Sequence, residues 1–284
     1  KAAVTDLQEY AILVYGREKI GKTVLFSSFP DALFLTTEPG SKGLKIYEFN
    51  DENGGCQDWQ DIRDAADFLE ASPDRFKNII IDTADRAYDF CLDWVCKEMD
   101  IDYPGVTPDG EIDWGKSWTA IKQEFMGIIH RLTRSGNRGL CFTSHVKEET
   151  IMMNGKKITR VYPTMSKQGR AVIEAIVDFF LYAEYVRYKD GSIGRILVAE
   201  GDENVWSGGR ETPFGSFPRF LPLKRRDGYK ILEQAFKGEH PGLDPADFVD
   251  SILSSKSGAG LIRKAKVESL GKKLKRMPKG KRKK

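Results

Sequence analysis

The stretch that decides the fold is GREKIGKT at residues 16–23, which has the spacing G-x4-G-K-T. It directly follows the apolar run AILVY at residues 11–15 and precedes a helical pattern at residues 24–29. A strand, a glycine-rich loop and a helix in this order are typical of a phosphate-binding loop. Glycines let backbone N–H groups approach phosphate oxygens, and the following helix presents its positive end to them. The sequence therefore predicts a nucleoside triphosphate site.

The loop predicts both ATP and Mg²⁺ as cofactors. The Lys22 ammonium would neutralise charge on the β- and γ-phosphates, and the Thr23 hydroxyl would ligate magnesium. The residues that we expect to contact the nucleotide are Gly16, Arg17, Glu18, Lys19, Ile20, Gly21, Lys22, Thr23 and Val24.

A second motif is the apolar run NIIID at residues 78–82, which ends in an acid. A strand of this form predicts that Asp82 holds magnesium through water. Hydrolysis also needs a group that orients or deprotonates the attacking water. Asp82 is followed by Thr83 and not by a glutamate, so the better candidate for this base is Glu38. Glu38 ends the run at residues 33–37, at the edge where open α/β sheets bind ligands.

His145 is a third candidate, because it directly follows the apolar run LCFTS at residues 140–144. A polar side chain where a strand leaves the sheet can sense the γ-phosphate and affect the next segment. That segment, residues 146–167, interleaves cations with apolar and aromatic side chains such as Met152, Met153 and Tyr162. This pattern suits a loop that binds a nucleic-acid strand, and a solvated hairpin is the alternative. Its cations are Lys147, Lys156, Lys157, Arg160 and Lys167.

The pattern of the whole chain predicts an α/β fold, with a mainly parallel central sheet flanked by helices. Apolar strand runs at residues 11–15, 33–36, 78–82 and 140–144 alternate with helical patterns, the clearest of which is at residues 116–134. Beyond residue 144 we expect two β-hairpins. The first joins residues 150–153 to 158–161 through Asn154-Gly155, a hairpin turn signal, and the second joins residues 178–188 to 194–200. Weaker helical patterns lie at residues 169–177 and 229–237.

Composition divides the 284 residues into an acidic body and a basic end. Residues 256–284 hold 13 Lys+Arg and one acid, Glu268, which leaves 32 bases against 41 acids in the rest. We therefore predict a domain at residues 1–253 and a flexible basic tail at residues 254–284. In this tail Lys272, Lys273, Lys275 and Arg276 are candidate DNA contacts.

Two further expectations come from composition. No apolar run approaches the roughly 18 residues that span a bilayer, so we expect a cytoplasmic protein without a membrane partner. The four cysteines lack paired C-x2-C spacing, so we expect reduced, mostly buried thiols.

These motifs, in this order, resemble the RecA-like P-loop ATPases, and within them the phage AAA-domain nucleotide-binding proteins that include single-strand annealing ATPases. The resemblance covers roughly residues 11–236. It implies that Glu38 is the water-activating base, Asp82 the magnesium acid and His145 the γ-phosphate sensor. It also implies that Arg210 reaches the γ-phosphate of a neighbouring subunit in a homo-oligomer, and that residues 100–115 and 146–167 face DNA. Because residues 100–115 are acidic, we expect DNA to bind the second loop and the tail.

The function predicted from the resemblance is a magnesium-dependent ATPase that binds single-stranded DNA in recombination or replication and promotes strand annealing. It would act in the cytoplasm, or in the host cytoplasm if the chain is phage-encoded. One alternative is a RecA-type helicase motor. Another is a nucleotide-gated adaptor that recruits a single-strand binding protein or a replisome component.

Overall fold

The computed structural model describes residues 3–134, 138–224 and 226–251. Its helices are α1 (Lys22–Phe26), α2 (Trp59–Ala71), α3 (Ala84–Glu98), α4 (Lys116–Arg134), α5 (Lys167–Ile176) and α6 (Gly228–Phe236). Its strands are β1 (Ala11–Gly16), β2 (Ala32–Thr36), β3 (Tyr47–Glu48), β4 (Asn78–Asp82), β5 (Gly139–Ser144), β6 (Val146–Met153), β7 (Lys156–Pro163), β8 (Phe179–Tyr188), β9 (Ile193–Val198), β10 (Gly208–Gly209), β11 (Phe220–Pro222) and β12 (Phe248–Ser251). The predicted tail at residues 254–284, with Lys272, Lys273, Lys275 and Arg276, lies outside the described residues.

The central sheet has the strand order β11-β9-β8-β1-β5-β4-β2-β3, with β10 and β12 also paired to β8. The pairs from β3 through β8 are all parallel. The pairs of β8 with β9 and of β9 with β11 are antiparallel. The predicted α/β fold class with a mainly parallel sheet is therefore confirmed, and the strand that ends in the phosphate loop lies near the middle of the sheet.

Helices cover both faces of the sheet, because the central strands are apolar on both faces. Leu13, Ile79 and Phe142 point to the face that α2, α3, α4 and α5 cover. Their neighbours Val14 and Ile80, with others at alternate positions, point to the face that α1 and α6 cover. This double burial fixes the sheet at the centre of the fold and holds the carboxyl ends of its strands at one edge.

The strands and helices predicted from periodicity are present, although α1 ends at Phe26, three residues before the end of the predicted pattern at residues 24–29. Helix α4 has the predicted bounds, and the hairpin β6–β7 turns at Asn154-Gly155, both of which have positive φ. Helices α2 and α3 are not among the predicted elements. Their buried residues recur at helical spacing, for example Ile62, Ala65 and Leu69 in α2 and Ala84, Ala87 and Cys91 in α3, so the signal was present in the sequence and was missed.

The cysteine prediction is confirmed as well, since Cys56, Cys91, Cys96 and Cys141 are all free and buried. Within the described ranges, no helix is both long and apolar enough to span a bilayer.

Candidate nucleotide site

The phosphate loop connects β1 to α1 and depends on two glycines. Gly16 ends β1, where a Cβ would lie 2.7 Å from the Ala183 carbonyl oxygen, so a larger residue would push β8 away. Gly21 has a φ of +112°, which favours glycine. Ile20 is fully buried in the core. Its contribution to a phosphate site is therefore confined to its backbone.

Lys22 is the buried cation of this loop. Its Nζ donates hydrogen bonds to the carbonyl oxygens of Gly16, at 2.9 Å, and Arg17, at 3.0 Å. Burial lowers the pKa of Lys22, although acids that include Asp82 and Asp85 oppose the shift. A phosphate would give this poorly hydrated ammonium a full negative charge to pair with, so its position fits the predicted task.

A cleft of about 680 Å³ opens beside the loop. Nine predicted site residues line it, among them Lys22, Thr23, Glu38, Asp82 and His145, which come from four strand ends. Glu18, Lys19, Gly21 and Val24 line the same cleft. Arg17 instead lines an adjoining cavity of about 450 Å³, together with His145 and Lys147. The cleft is therefore continuous with the region where β6 begins.

Thr23 and Asp82 offer a hydroxyl and a carboxylate, which are the hard oxygen ligands that Mg²⁺ prefers. Both line the cleft, and the Thr143 hydroxyl on β5 donates a hydrogen bond to Asp82 Oδ1. This donor set fits a magnesium ion between the phosphate loop and β4, with Thr23 and Asp82 as the residues that would hold it.

Glu38 and His145 meet in the cleft although they are 107 residues apart in the chain. His145 Nε2 lies 3.2 Å from Glu38 Oε2, and the Thr83 hydroxyl donates to Glu38 Oε1 at 3.3 Å. The backbone before Glu38 is fixed, because Thr37 N donates to the Asp82 carbonyl at 2.8 Å and Thr37 Oγ1 accepts from Thr83 N at 2.9 Å. The Glu38 side chain itself is 42 % exposed, so water can reach it.

Asp85 supports this pair and was missed by the sequence analysis. Its Oδ2 accepts from His145 N at 2.8 Å, and the Ser144 hydroxyl donates to its Oδ1. Burial raises the pKa of Asp85 above its usual value, against the effect of these hydrogen bonds. The sequence feature that could have identified Asp85 is its position three residues after Asp82. This position is in the first turn of α3, where the helix dipole favours an acid.

Arg195 is a second residue that the sequence analysis missed. It lies on β9, and its Nη1 donates to the Ile20 carbonyl at 3.0 Å. The same guanidinium would be 3.0 Å from a Cβ at Gly21. Arg195 therefore fixes the outer side of the phosphate loop, and no motif marks it because the contact joins residues 175 positions apart.

The hairpin β6–β7 is joined directly to His145. Strand β6 begins at the next residue, Val146. At the same base of the hairpin, Thr164, which directly follows β7, donates its N–H to the His145 carbonyl at 2.9 Å. Both ends of the hairpin therefore meet at the residue that contacts Glu38.

The predicted cations of this segment have different surroundings. Lys156 and Lys157 are exposed at the tip, beside the exposed Met152 and Met153. Lys147 pairs with Glu149 at 3.1 Å, and Arg160 lies over the Tyr162 ring at 5.5 Å. Lys167 is the first residue of α5 and is not part of the hairpin.

Arg210 lies near the amino-terminal ends of β1 and β8, whereas the cleft lies at the carboxyl-terminal ends of the strands. The structure therefore does not bring Arg210 to the cleft of its own chain. Its Nη1 is 3.0 Å from Asp178 Oδ1, while Asp178 Oδ2 accepts from Ala11 N at 2.9 Å. Ala11 is the first residue of β1, whereas the phosphate loop follows Gly16, the last residue of that strand, so the two lie at opposite ends of β1. The reach of Arg210 to a neighbouring subunit stays a prediction.

Comparison with known proteins gives one family match and several similar folds. Residues 8–210 match the AAA domain family, which is more than half of the chain. The fold is similar to that of a KaiC-like protein from the archaeon Pyrococcus horikoshii, with 13 % identity, a TM-score of 0.40, and 77 % of this chain and 88 % of that chain covered. It is also similar to the RadB recombinase, with 12 % identity, a TM-score of 0.40, and coverage of 77 % and 89 %.

No curated protein matches the sequence. The phosphate loop and the cleft agree with the family match, and over residues 8–210 the chain belongs to the AAA domain family.

Proposed function

We propose that the chain is a magnesium-dependent ATPase that binds single-stranded DNA in recombination or replication and promotes strand annealing. The observation that carries the proposal is the connection between the cleft and the hairpin β6–β7. Because Val146 and Thr164 both adjoin His145, a change in the His145–Glu38 contact reaches both strands of the hairpin at their base. A bound γ-phosphate would change that contact, since both side chains line the cleft.

The hairpin tip has the chemistry that single strands need. Lys156 and Lys157 offer charge to phosphates, and the apolar side chains of Met152 and Met153 offer surface to bases. Residues 100–115 contain five acids and no base, so they repel phosphates. The 13 cations of residues 256–284 add a salt-dependent attraction without sequence readout.

We also propose a homo-oligomer in which Arg210 approaches the nucleotide of the next subunit. The support is the position of Arg210: its side chain is 65 % exposed near the amino-terminal ends of the sheet strands, while the nucleotide cleft lies at their carboxyl-terminal ends. An arginine exposed there can contact a neighbouring chain, although within its own chain it pairs with Asp178.

The deciding experiment is magnesium-dependent ATP hydrolysis with and without single-stranded DNA across a salt series. It compares the full chain, a chain that ends at Ser255, and the double variant Lys156→Ala/Lys157→Ala. The matched control is Lys97→Ala/Lys230→Ala, which removes two exposed lysines from α3 and α6. We expect the hairpin variant to keep its basal rate and lose DNA stimulation, and the control to keep both.

Other outcomes redirect the assignment. No DNA response in the full chain would contradict the proposal and favour a nucleotide-gated adaptor for a single-strand binding protein or replisome component. Directional unwinding of a forked duplex would favour a helicase motor.

A further inference from the structure

Residues 100–115 form a surface that the nucleotide site does not use, here called the acidic aromatic loop. Three large apolar side chains are exposed on it: Trp114 at 87 %, Ile112 at 69 % and Tyr103 at 61 %. Trp114 also has a φ of +55°, which a bulky residue rarely adopts. Exposed apolar groups concentrated in one short loop mark an interaction surface more often than scattered ones do.

The exposure does not come from a loose backbone. Thr107 N donates to the Glu111 carbonyl at 2.8 Å, and Asp113 N donates to the Gly105 carbonyl at 3.1 Å, so the loop is a small hairpin closed near its base. Asp113 then accepts from Gly115 N at 2.7 Å and Ser117 N at 2.8 Å at the start of α4. The loop is thus fixed to the core while its aromatic side chains stay in solvent.

The charge of the loop restricts what can cover these side chains. Asp100, Asp102, Asp109 and Glu111 are exposed, and among the described residues none of them forms an ion pair. No lysine or arginine occurs between residues 100 and 115. An occupant must therefore bring positive charge together with apolar side chains.

We propose that the basic tail of the same chain, residues 256–284, docks on the acidic aromatic loop. The tail has 13 cations against one acid and interleaves them with apolar residues, among them Leu261, Ile262, Leu270 and Leu274. Chain length allows the contact. The 21 residues from Ser251 to Lys272 reach at most about 75 Å when extended, which exceeds the width of a domain of this size.

Two other occupants fit less well. Single-stranded DNA would place phosphates against four unpaired carboxylates. The body of a second copy is itself net acidic, since the chain outside residues 256–284 carries 41 acids and 32 bases. The tail is the strongly basic segment of this chain. The inference does not require that the chain bind DNA or hydrolyse ATP.

The test is photo-crosslinking of the full chain with a benzophenone amino acid in place of Trp114, followed by mass spectrometry of the linked peptides. A matched control carries the same group in place of Tyr47, which is 68 % exposed but lies on β3 at the end of the sheet. We expect links from position 114 to peptides within residues 256–284, in products of monomer mass, at several times the yield from position 47.

The charge requirement is tested in the chain that carries the crosslinking group in place of Trp114. One test combines it with Asp102→Asn, Asp109→Asn and Glu111→Gln, and a separate test repeats the crosslinking of the otherwise unaltered chain in 0.5 M NaCl. Each should reduce the yield at position 114 several-fold. The proposal would be overturned if position 114 linked only to other peptides or only in dimers. It would also be overturned if the yield were unchanged by both the substitutions and the salt.

A second measurement avoids the unnatural side chain. Acrylamide quenching of Trp114 fluorescence, obtained as the difference between the full chain and its Trp114→Phe variant, should increase when the chain ends at Ser255. Equal quenching in both lengths would also overturn the proposal.

Discussion

The nucleotide cleft and the hairpin β6–β7 are joined at His145 but are built differently. The cleft gathers side chains from four parallel strand ends, and buried hydrogen bonds hold the backbone, as at Thr37 and Thr83. The hairpin is a separate two-stranded sheet whose tip is exposed, held at its stem by contacts to α5 and to residues 204–206. A two-stranded hairpin is marginally stable by itself. The comparison indicates that changes in the cleft affect chemistry, while changes at the hairpin stem affect local order.

The largest effect is expected for Lys22→Ala. Removing the buried ammonium leaves the phosphates without the cation that Gly16 and Arg17 hold in place. ATP turnover should fall roughly 10²- to 10³-fold, the scale for the loss of one preorganised donor. Steady-state hydrolysis measures the rate, and Lys97→Ala, which removes an exposed lysine on α3, is the control. Unchanged turnover would mean that the nucleotide binds elsewhere.

Glu38→Gln should separate binding from chemistry. The amide keeps the shape of the side chain but cannot accept a proton, so hydrolysis should fall about 10²- to 10⁴-fold, the range for general base catalysis. Nucleotide affinity, measured with a fluorescent ATP analogue, should stay within about threefold, because Lys22 and the loop remain. Glu98→Gln at the end of α3 is the control. Normal turnover in Glu38→Gln would remove this residue as the base.

Arg170→Ala should loosen the hairpin and spare the cleft. Arg170 donates to both oxygens of Glu149, at 2.8 and 3.0 Å, and lies over the Tyr162 ring at 4.5 Å. Its loss should lower the free energy of unfolding by roughly 1–2 kcal/mol, with basal ATP turnover nearly unchanged. Denaturant unfolding gives the energy, with Arg134→Ala, an exposed arginine at the end of α4, as the control. A large loss of basal turnover would show that the stem also shapes the cleft.

The smallest effect concerns the pH dependence of the same contact. Burial tends to raise the pKa of Glu149, but hydrogen bonds from Arg170 and Lys147 outweigh it, so the pKa lies below its ordinary value of 4.5. The stabilisation is therefore complete above pH 4.5 and is lost as the pH falls through the lowered pKa. Hydrogen exchange of residues 146–163 should be faster in Glu149→Gln than in the unaltered chain at pH 7, and the two should converge once the pH is below the lowered pKa of Glu149. A difference that is the same at both pH values would contradict this.

The sequence by itself determined the elements whose signal is local. The phosphate loop, the strand that ends in Asp82, helix α4 and the turn at Asn154-Gly155 depend on residues within one turn or one strand of each other. Backbone conformation and burial at these places follow from neighbouring side chains, so their patterns could be read directly.

The tertiary structure alone decided which distant residues meet. The contacts of Glu38 with His145 and of Asp85 with His145 N depend on strand order, which places β4 beside β5 and between β5 and β2. The contact of Arg195 with the Ile20 carbonyl depends on the same order, which places β9 two strands from β1. The same order puts Arg210 beside Asp178 at the edge away from the cleft. Strand order results from the packing of whole layers, and no short stretch of sequence records it.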